Sequence, residues 1–337
     1  MTSPTDAARP GISIRRLEPA DEEAVLELLA VTLGWDIDDR HRQLFSWKHR
    51  LNLFGVSPGW VAEDESGLAG FRTLMRWEFI SDGSIIRAAR AVDTATAPHA
   101  QGRGVFRALT MRAVSDLTDE GVACIFNTPN TNSAPGYLSM GWQAIGRLPV
   151  SFRPSRPGTL AKLPGARAAG DLWSLPGCTG EDAAEVLAAA DEVVQLLSSA
   201  SAETQYADRI STNKTVSFLQ WRYGQCPVGY RIWLGGASIA EGMVVFRLRR
   251  RGSAVEAVIA DAVFPSDASA RYIRRTCRHL LRESGADYAV ALGSSRPQGW
   301  LPLGGRGPLL TWRPLEWSRG VPGLPSWKLG TGDIELF

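Results

Sequence analysis

The 337-residue chain has little of what marks several protein classes. Its four cysteines, Cys124, Cys178, Cys226 and Cys277, stand far apart with no C-x-x-C pair. That excludes a zinc-finger spacing and a dense disulfide frame, and predicts reduced thiols and no metal. No stretch approaches the roughly 18 consecutive apolar residues of a membrane-spanning helix. The formal net charge is only +2, too small for a general pull towards nucleic acid or an anionic membrane. The opening residues, MTSPTDAARPG, are polar and lack an apolar core. They read as a loose tail, not a signal peptide, and the cytoplasm is the expected location.

What is present describes a soluble globular chain. Hydrophobic residues make up 44% and charged residues 21%, enough apolar material for two ordinary domains at this length. Ala88 to Leu109 stands out. It begins as a strand rich in Ala, Val and Thr, which Pro98 closes because it cannot donate to a ladder. Gln101-Gly102-Arg103-Gly104 follows, and Val105, Phe106, Ala108, Leu109, Met111 and Val114 then repeat at helical spacing. A strand, a glycine turn and a helix start leave free backbone N–H groups aimed at one spot, with the positive end of the helix dipole behind them. Such a spot suits a phosphate or pyrophosphate. It is neither a Walker loop nor a dinucleotide fingerprint, since the lysine and the third glycine are missing.

Pro98-His-Ala-Gln101-Gly-Arg-Gly104-Val-Phe106 resembles the Q/R-x-x-G-x-G/A acyl-CoA loop of the GNAT (Gcn5-related N-acetyltransferase) superfamily. Downstream, Asn130-Thr-Asn-Ser133-Ala-Pro-Gly-Tyr137-Leu-Ser-Met-Gly141-Trp142 resembles its second signature, N-x-x-A-x-x-x-Y-x-x-x-G-F, in the same order and at a fitting distance. Phe106 departs from the usual small residue, Ser133 replaces Ala, and Pro135 interrupts the helix. The resemblance implies an α/β (α+β) fold with a mixed, mostly antiparallel central sheet flanked by helices. It also implies acetyl-CoA, or another acyl-CoA, as donor. By position, Gln101, Gly102, Arg103, Gly104, Val105 and Phe106 would hold the pyrophosphate. Thr94, Ala95 and Thr96, on a strand that splays from its neighbour, would hold the pantetheine and thioester, with Asn130 near the coenzyme arm. Tyr137 matches the superfamily's general acid by the sulfur. Asp93 lies where several relatives carry a glutamate that takes the amine proton; the competing role is to satisfy backbone at the splay. His99 fits a cap better than a catalyst.

Along the chain, Ile12 to Leu17 reads as a first strand and Asp21 as the cap of a helix. Between Gly34 and Ser57, Trp47, His49 and Asn52 are candidates for contact with the acceptor, against the plainer role of packing a helix pair. Trp60–Glu63 and Leu68–Phe79 form a hairpin, Val122–Phe126 a buried strand, and Trp142–Val150 a strand closing the sheet. Five prolines between Arg147 and Gly180 mark a linker. The expected organisation is a GNAT domain over 1–150, a linker over 151–180, and a second lobe over 181–337.

That lobe begins with a helix over Glu181–Leu197, then Phe218-Leu-Gln-Trp221-Arg222-Tyr223, which resembles a segment of tandem GNAT and Fem-like transferases. Strands over Tyr230–Leu234, Ala240–Arg249 and Val255–Phe264, a helix capped at Ser266, and a strand over Tyr288–Leu292 repeat the order of the first half. Phe264-Pro-Ser-Asp-Ala stands where a glycine loop would be needed, so this lobe is expected to be a degenerate copy that walls the acceptor site. Arg247, Arg249, Arg250 and Arg251 read as a solvated hairpin end, or else as an RNA-binding patch.

The sequence thus points to an N-acyltransferase acting on a primary amine of a small molecule, an amino sugar among the options. It would work as a monomer or homodimer without membrane or nucleic-acid partners. A non-catalytic acyl-CoA sensor or scaffold and a Fem-like aminoacyl transferase remain the alternatives.

Overall fold

The computed structural model describes residues 11–156, 158–159, 168–200, 209–293, 300–317 and 320–335. Most of the expected N-terminal tail, the linker residues Pro157 and Pro164, and Phe337 lie outside the described residues. The chain divides into two compact units, one of residues 1–79, 85–146 and 309–321, the other of 80–84, 147–308 and 322–337. Both are mixed, mostly antiparallel sheets flanked by helices.

In the first unit, β1 (Ser13–Arg16), β2 (Gly59–Asp64), β3 (Gly67–Ser81), β4 (Ser84–Thr96) and β5 (Cys124–Asn127) lie side by side in chain order. β6 (Gln143–Arg147) belongs to the same sheet but does not touch β5. The strand Leu309–Pro314 lies between them, antiparallel to β5 with Thr311 opposite Asn127. Four helices accompany this sheet: α1 (Glu22–Leu33), α2 (Asp39–His49), α3 (Val105–Asp119) and α4 (Ala134–Ser139). α3 buries Val105, Ala108, Leu109, Ala113, Val114 and Leu117, a single face at helical spacing. Gly70 on β3 lets that face seat closely. A Cβ there would stand 2.5 Å from Val105 Cγ1 and 3.2 Å from Leu109 Cδ1.

The stretch expected to close the sheet, Trp142–Val150, is two strands in two units. β6 ends at Arg147, and β7 (Val150–Pro154) pairs antiparallel with Tyr288–Leu292 in the second sheet. Pro149 separates them, and the 151–180 linker therefore starts inside a strand. The helix expected over 181–197 is broken as well. Asp182 caps a short helix Ala183–Ala188 by accepting from Ala184 N–H at 2.8 Å, and Ala189 leaves helical geometry before Ala190–Ala200.

The second sheet runs Arg231–Leu234, Met243–Arg251 and Ala254–Val263 as antiparallel neighbours. The helix Ala270–Glu283 then returns the chain to Tyr288–Leu292, which lies parallel to Ala254–Val263. Its cap is Ser269, not Ser266, with Oγ accepting from Tyr272 N–H at 3.2 Å. The arginine run is not a solvated end. Arg247 is 1% exposed and pairs with Glu335 at 2.7 Å, Arg249 pairs with Glu256 and Glu335, and Arg251 pairs with Glu256. Alternation along the strand puts these three on one face, where acidic partners from other segments reach them; Arg250 points the other way.

Candidate active site

The turn before α3 is built by backbone geometry. Pro98–Ala100 forms a 3-10 turn, Gly102 has φ 73° and Gly104, the residue before the helix, has φ 82°. A Cβ at Gly102 or Gly104 would meet nothing within 4 Å, so glycine is required here for its left-handed backbone and not for space. Among the described residues no side chain caps this helix. Among the described residues no backbone carbonyl receives the N–H groups of Gly102, Gly104, Val105 and Phe106. Open space, unused donors and the positive helix end make a cradle for an anion. The second unit's corresponding helix spends a donor on Ser269 instead. Arg103 does not point its charge into the cradle: it pairs with Asp64 at the β2–β3 turn, which His99 also approaches at 3.4 Å.

β4 leads to this turn. It pairs parallel with β5 only over Ala88–Arg90, although it continues to Thr96, so Thr94, Ala95 and Thr96 lie beyond the reach of β5. On the β3 side Thr94 Oγ1 donates to Phe71 O at 3.3 Å, and Ala97 N–H reaches Ala69 O at 2.9 Å. Just before the free stretch, Asp93 adopts φ 22°, an uncommon conformation for a residue with a side chain.

Asp93 is held by two neighbours. Its Oδ2 lies 2.6 Å from Lys48 Nζ and 2.8 Å from His49 Nε2, all three side chains being buried. Burial by itself would raise the Asp93 carboxyl, but the Lys48 charge and the bond from His49 outweigh it and bring it down to about 2. Burial pushes His49 below the ordinary histidine value even though Asp93 pulls the other way. A carboxylate so stabilised is a weak proton acceptor. The cluster ties the end of α2 to β4 at the residue preceding Thr94, where β4 runs beyond its pairing with β5.

Tyr137, on α4, is buried with its hydroxyl 2.7 Å from Arg72 Nη1. The Arg72 guanidinium is fully buried on β3, sits 5.3 Å from the Tyr137 ring and 5.7 Å from the Phe106 ring, and leaves Nε and Nη2 without a partner among the described residues. Phe106 meets Tyr137 edge-on at 5.4 Å, and Trp142 meets it at 5.1 Å. Phe106, the departure from the motif's small residue, is therefore the wall that joins the anion turn to the tyrosine. A Cβ on Gly136 would come within 3.1 Å of it.

Asn130 spends its side-chain oxygen locally, accepting from Asn132 N–H at 3.0 Å and Ser133 N–H at 2.9 Å at the entrance of α4. It shapes the turn. Trp47 is buried, and Asn52 donates to Arg76 O at 3.0 Å while accepting from Phe54 N–H at 2.8 Å. Of the three expected acceptor contacts, only His49 adjoins the Asp93 cluster. Arg72 and Lys48 escape sequence reasoning, because an arginine in a strand and a lysine near a helix end ordinarily face water. For Arg72 the one available signal was its position among Phe71, Leu74 and Met75; Lys48, flanked by Ser46, His49 and Arg50, carried none.

Residues 13–145 match the acetyltransferase (GNAT) domain family. No curated protein matches the chain. Solved structures share the fold. A conserved Enterococcus faecalis V583 protein described as a probable N-acyltransferase aligns at TM-score 0.62 and 11% identity, over 90% of this chain and 73% of its own. A GCN5-related N-acetyltransferase from Anabaena variabilis ATCC 29413 gives 0.59 and 12% over the same shares. Eis1 from Mycobacterium abscessus gives 0.52 and 17%, again over 90% and 73%.

Proposed function

We propose that residues 13–145, a segment of the GNAT superfamily by family match and by fold, transfer an acyl group from acyl-CoA to a primary amine of a small molecule. The carrying observation is the uncapped, glycine-built entry to α3, joined through Phe106 to the buried Arg72–Tyr137 pair. Acyl-CoA, when bound, supplies an activated thioester. The N–H groups of Gly102, Gly104, Val105 and Phe106 hold its pyrophosphate. The free backbone of Thr94–Thr96 lines the arm beside the splay, where an amide donor aimed at the carbonyl oxygen contributes about 10²–10³ in rate.

Attack by the neutral amine nitrogen forms the new C–N bond and breaks the C–S bond. Tyr137 gives its proton to the departing sulfur, the acceptor nitrogen sheds its own proton to water, and the phenolate takes a proton back from solvent. Arg72 holds the phenol in place and places positive charge beside the oxygen that loses the proton. Asp93, committed to Lys48 and His49, fixes the geometry of β4 and takes no proton. The acceptor is a small amine, with amino sugars as the first compounds to try, and the second unit is a degenerate copy of the first whose capped helix has lost the grip on phosphate. An RNA-dependent reading loses most of its footing, because three of the four arginines that suggested it, Arg247, Arg249 and Arg251, are engaged by Glu256 and Glu335.

The test is calorimetric titration with acetyl-CoA, followed by thiol release with a panel of amines including amino sugars. Binding together with amine-dependent thiol release supports the assignment. Absence of acetyl-CoA binding overturns it, and binding without release against any amine turns it into the sensor reading.

A further inference from the structure

The second unit contains a cavity of about 780 Å³, all of whose lining residues belong to that unit. This volume falls within the ~300–1,000 Å³ range of small-molecule sites. Strand register explains its character. Ala257, Ile259, Ala289 and Cys277 belong to the apolar cluster between the sheet and the helix Ala270–Glu283. Alternate positions point to the opposite face. There Val258 stands beside Val290, and Val290 beside Phe152 on β7, making an apolar rung across three strands. The next rung is polar: Arg249 opposite Glu256, and Glu256 opposite Tyr288. The cavity floor is therefore apolar along one row and charged along its neighbour.

The charges do not cancel. Arg249, Arg251 and Arg306 line the cavity against Glu256 and Glu335, and Glu335 is shared with Arg247 behind it, so cations outnumber anions. Arg249 and Arg251 are satisfied by the two glutamates, at 2.6–3.0 Å. Arg306 is different. It is exposed, in the turn between Leu301–Pro302 and Leu309–Pro314, and its guanidinium has no partner among the described residues.

We propose that this cavity is a second ligand site, for an amphipathic organic monoanion: a carboxylate on an apolar body. The apolar rung of Val258, Val290 and Phe152 takes the body, and Arg306 takes the carboxylate as a charge-assisted hydrogen bond. The paired arginines keep the floor closed to a cation, since a buried cation there would find both carboxylates already engaged.

Isothermal titration of the full-length protein with decanoate, decanol and decylamine, each below its aggregation concentration, tests this. Decanoate should bind at one site per chain, about tenfold more tightly than decanol, with no heat from decylamine. Arg306→Glu, a change at an exposed position, should remove decanoate binding while leaving acetyl-CoA binding intact. Val290→Trp should fill the apolar rung and abolish both decanoate and decanol binding. No decanoate binding, or equal affinity in wild type and Arg306→Glu, would overturn the proposal. The acetyl-CoA titration keeps its failure separate from failure of the acyltransferase assignment.

Discussion

Arg72 Nη1 donates a 2.7 Å hydrogen bond to the Tyr137 hydroxyl inside the first unit, and no carboxylate accompanies it among the described residues. A buried guanidinium with two idle nitrogens is expensive in stability. Its place beside the tyrosine that the motif matches to proton donation is what the proposed chemistry rests on.

Tyr137→Phe removes the donor and should lower kcat by about 10²–10⁴, the range typical of a general acid, with the acetyl-CoA dissociation constant changed little. Steady-state kinetics alongside calorimetry would check the split. An unchanged kcat removes Tyr137 from the reaction.

Arg72→Met keeps apolar volume but strips the bond from the phenol. The expected result is a fall in kcat of about tenfold or more with KM for acetyl-CoA nearly constant. Arg72→Lys should recover part of the loss, since a cation returns without the planar fork. A variant that loses KM and kcat together would show a merely structural arginine.

Gly104 has φ 82° with open space around it. Gly104→Ala should cost about 1–2 kcal/mol of backbone strain, read as a lower melting temperature. Gly104→Asp adds a negative charge beside the N–H groups and should weaken acetyl-CoA binding by at least about tenfold, beyond the effect of Ala. Equal affinity in the Ala and Asp variants would place the pyrophosphate elsewhere.

Asp93 falls from 3.8 to about 2 in the fold. Because the folded carboxyl is the stronger acid, its contribution is complete above pH 3.8 and disappears as pH drops towards 2. The difference amounts to about 2 kcal/mol. His49 titrates below its ordinary 6.5 in the fold, so the unfolded chain takes up its proton first and stability already declines as pH falls below about 6.5. Asp93→Asn leaves Lys48 without its carboxylate and should destabilise by about 3–5 kcal/mol. Adding Lys48→Met should restore much of the melting temperature. If Asp93 is a positioning residue, that double variant keeps kcat within about tenfold of wild type, whereas loss of a true general base would cost about 10²–10⁴.

The sequence by itself determined the glycine turn before α3. Proline, two glycines at left-handed positions and an apolar helical face are local backbone instructions, and Gln101–Phe106 carry them without help from distant residues. It also carried Tyr137 as a motif position. What the tyrosine and Asp93 touch was decided only in three dimensions: Arg72 arrives from 65 residues away and His49 from 44. Pairings at such separations leave no periodic trace in the chain. The same holds for the strand Leu309–Pro314, placed beside β5 from the far end of the sequence, and for Arg247, Arg249 and Arg251. Their run reads as solvated until Glu256 and Glu335 are folded against it. Local chemistry is written in neighbours; charge compensation in a low-dielectric interior depends on partners that only packing brings together.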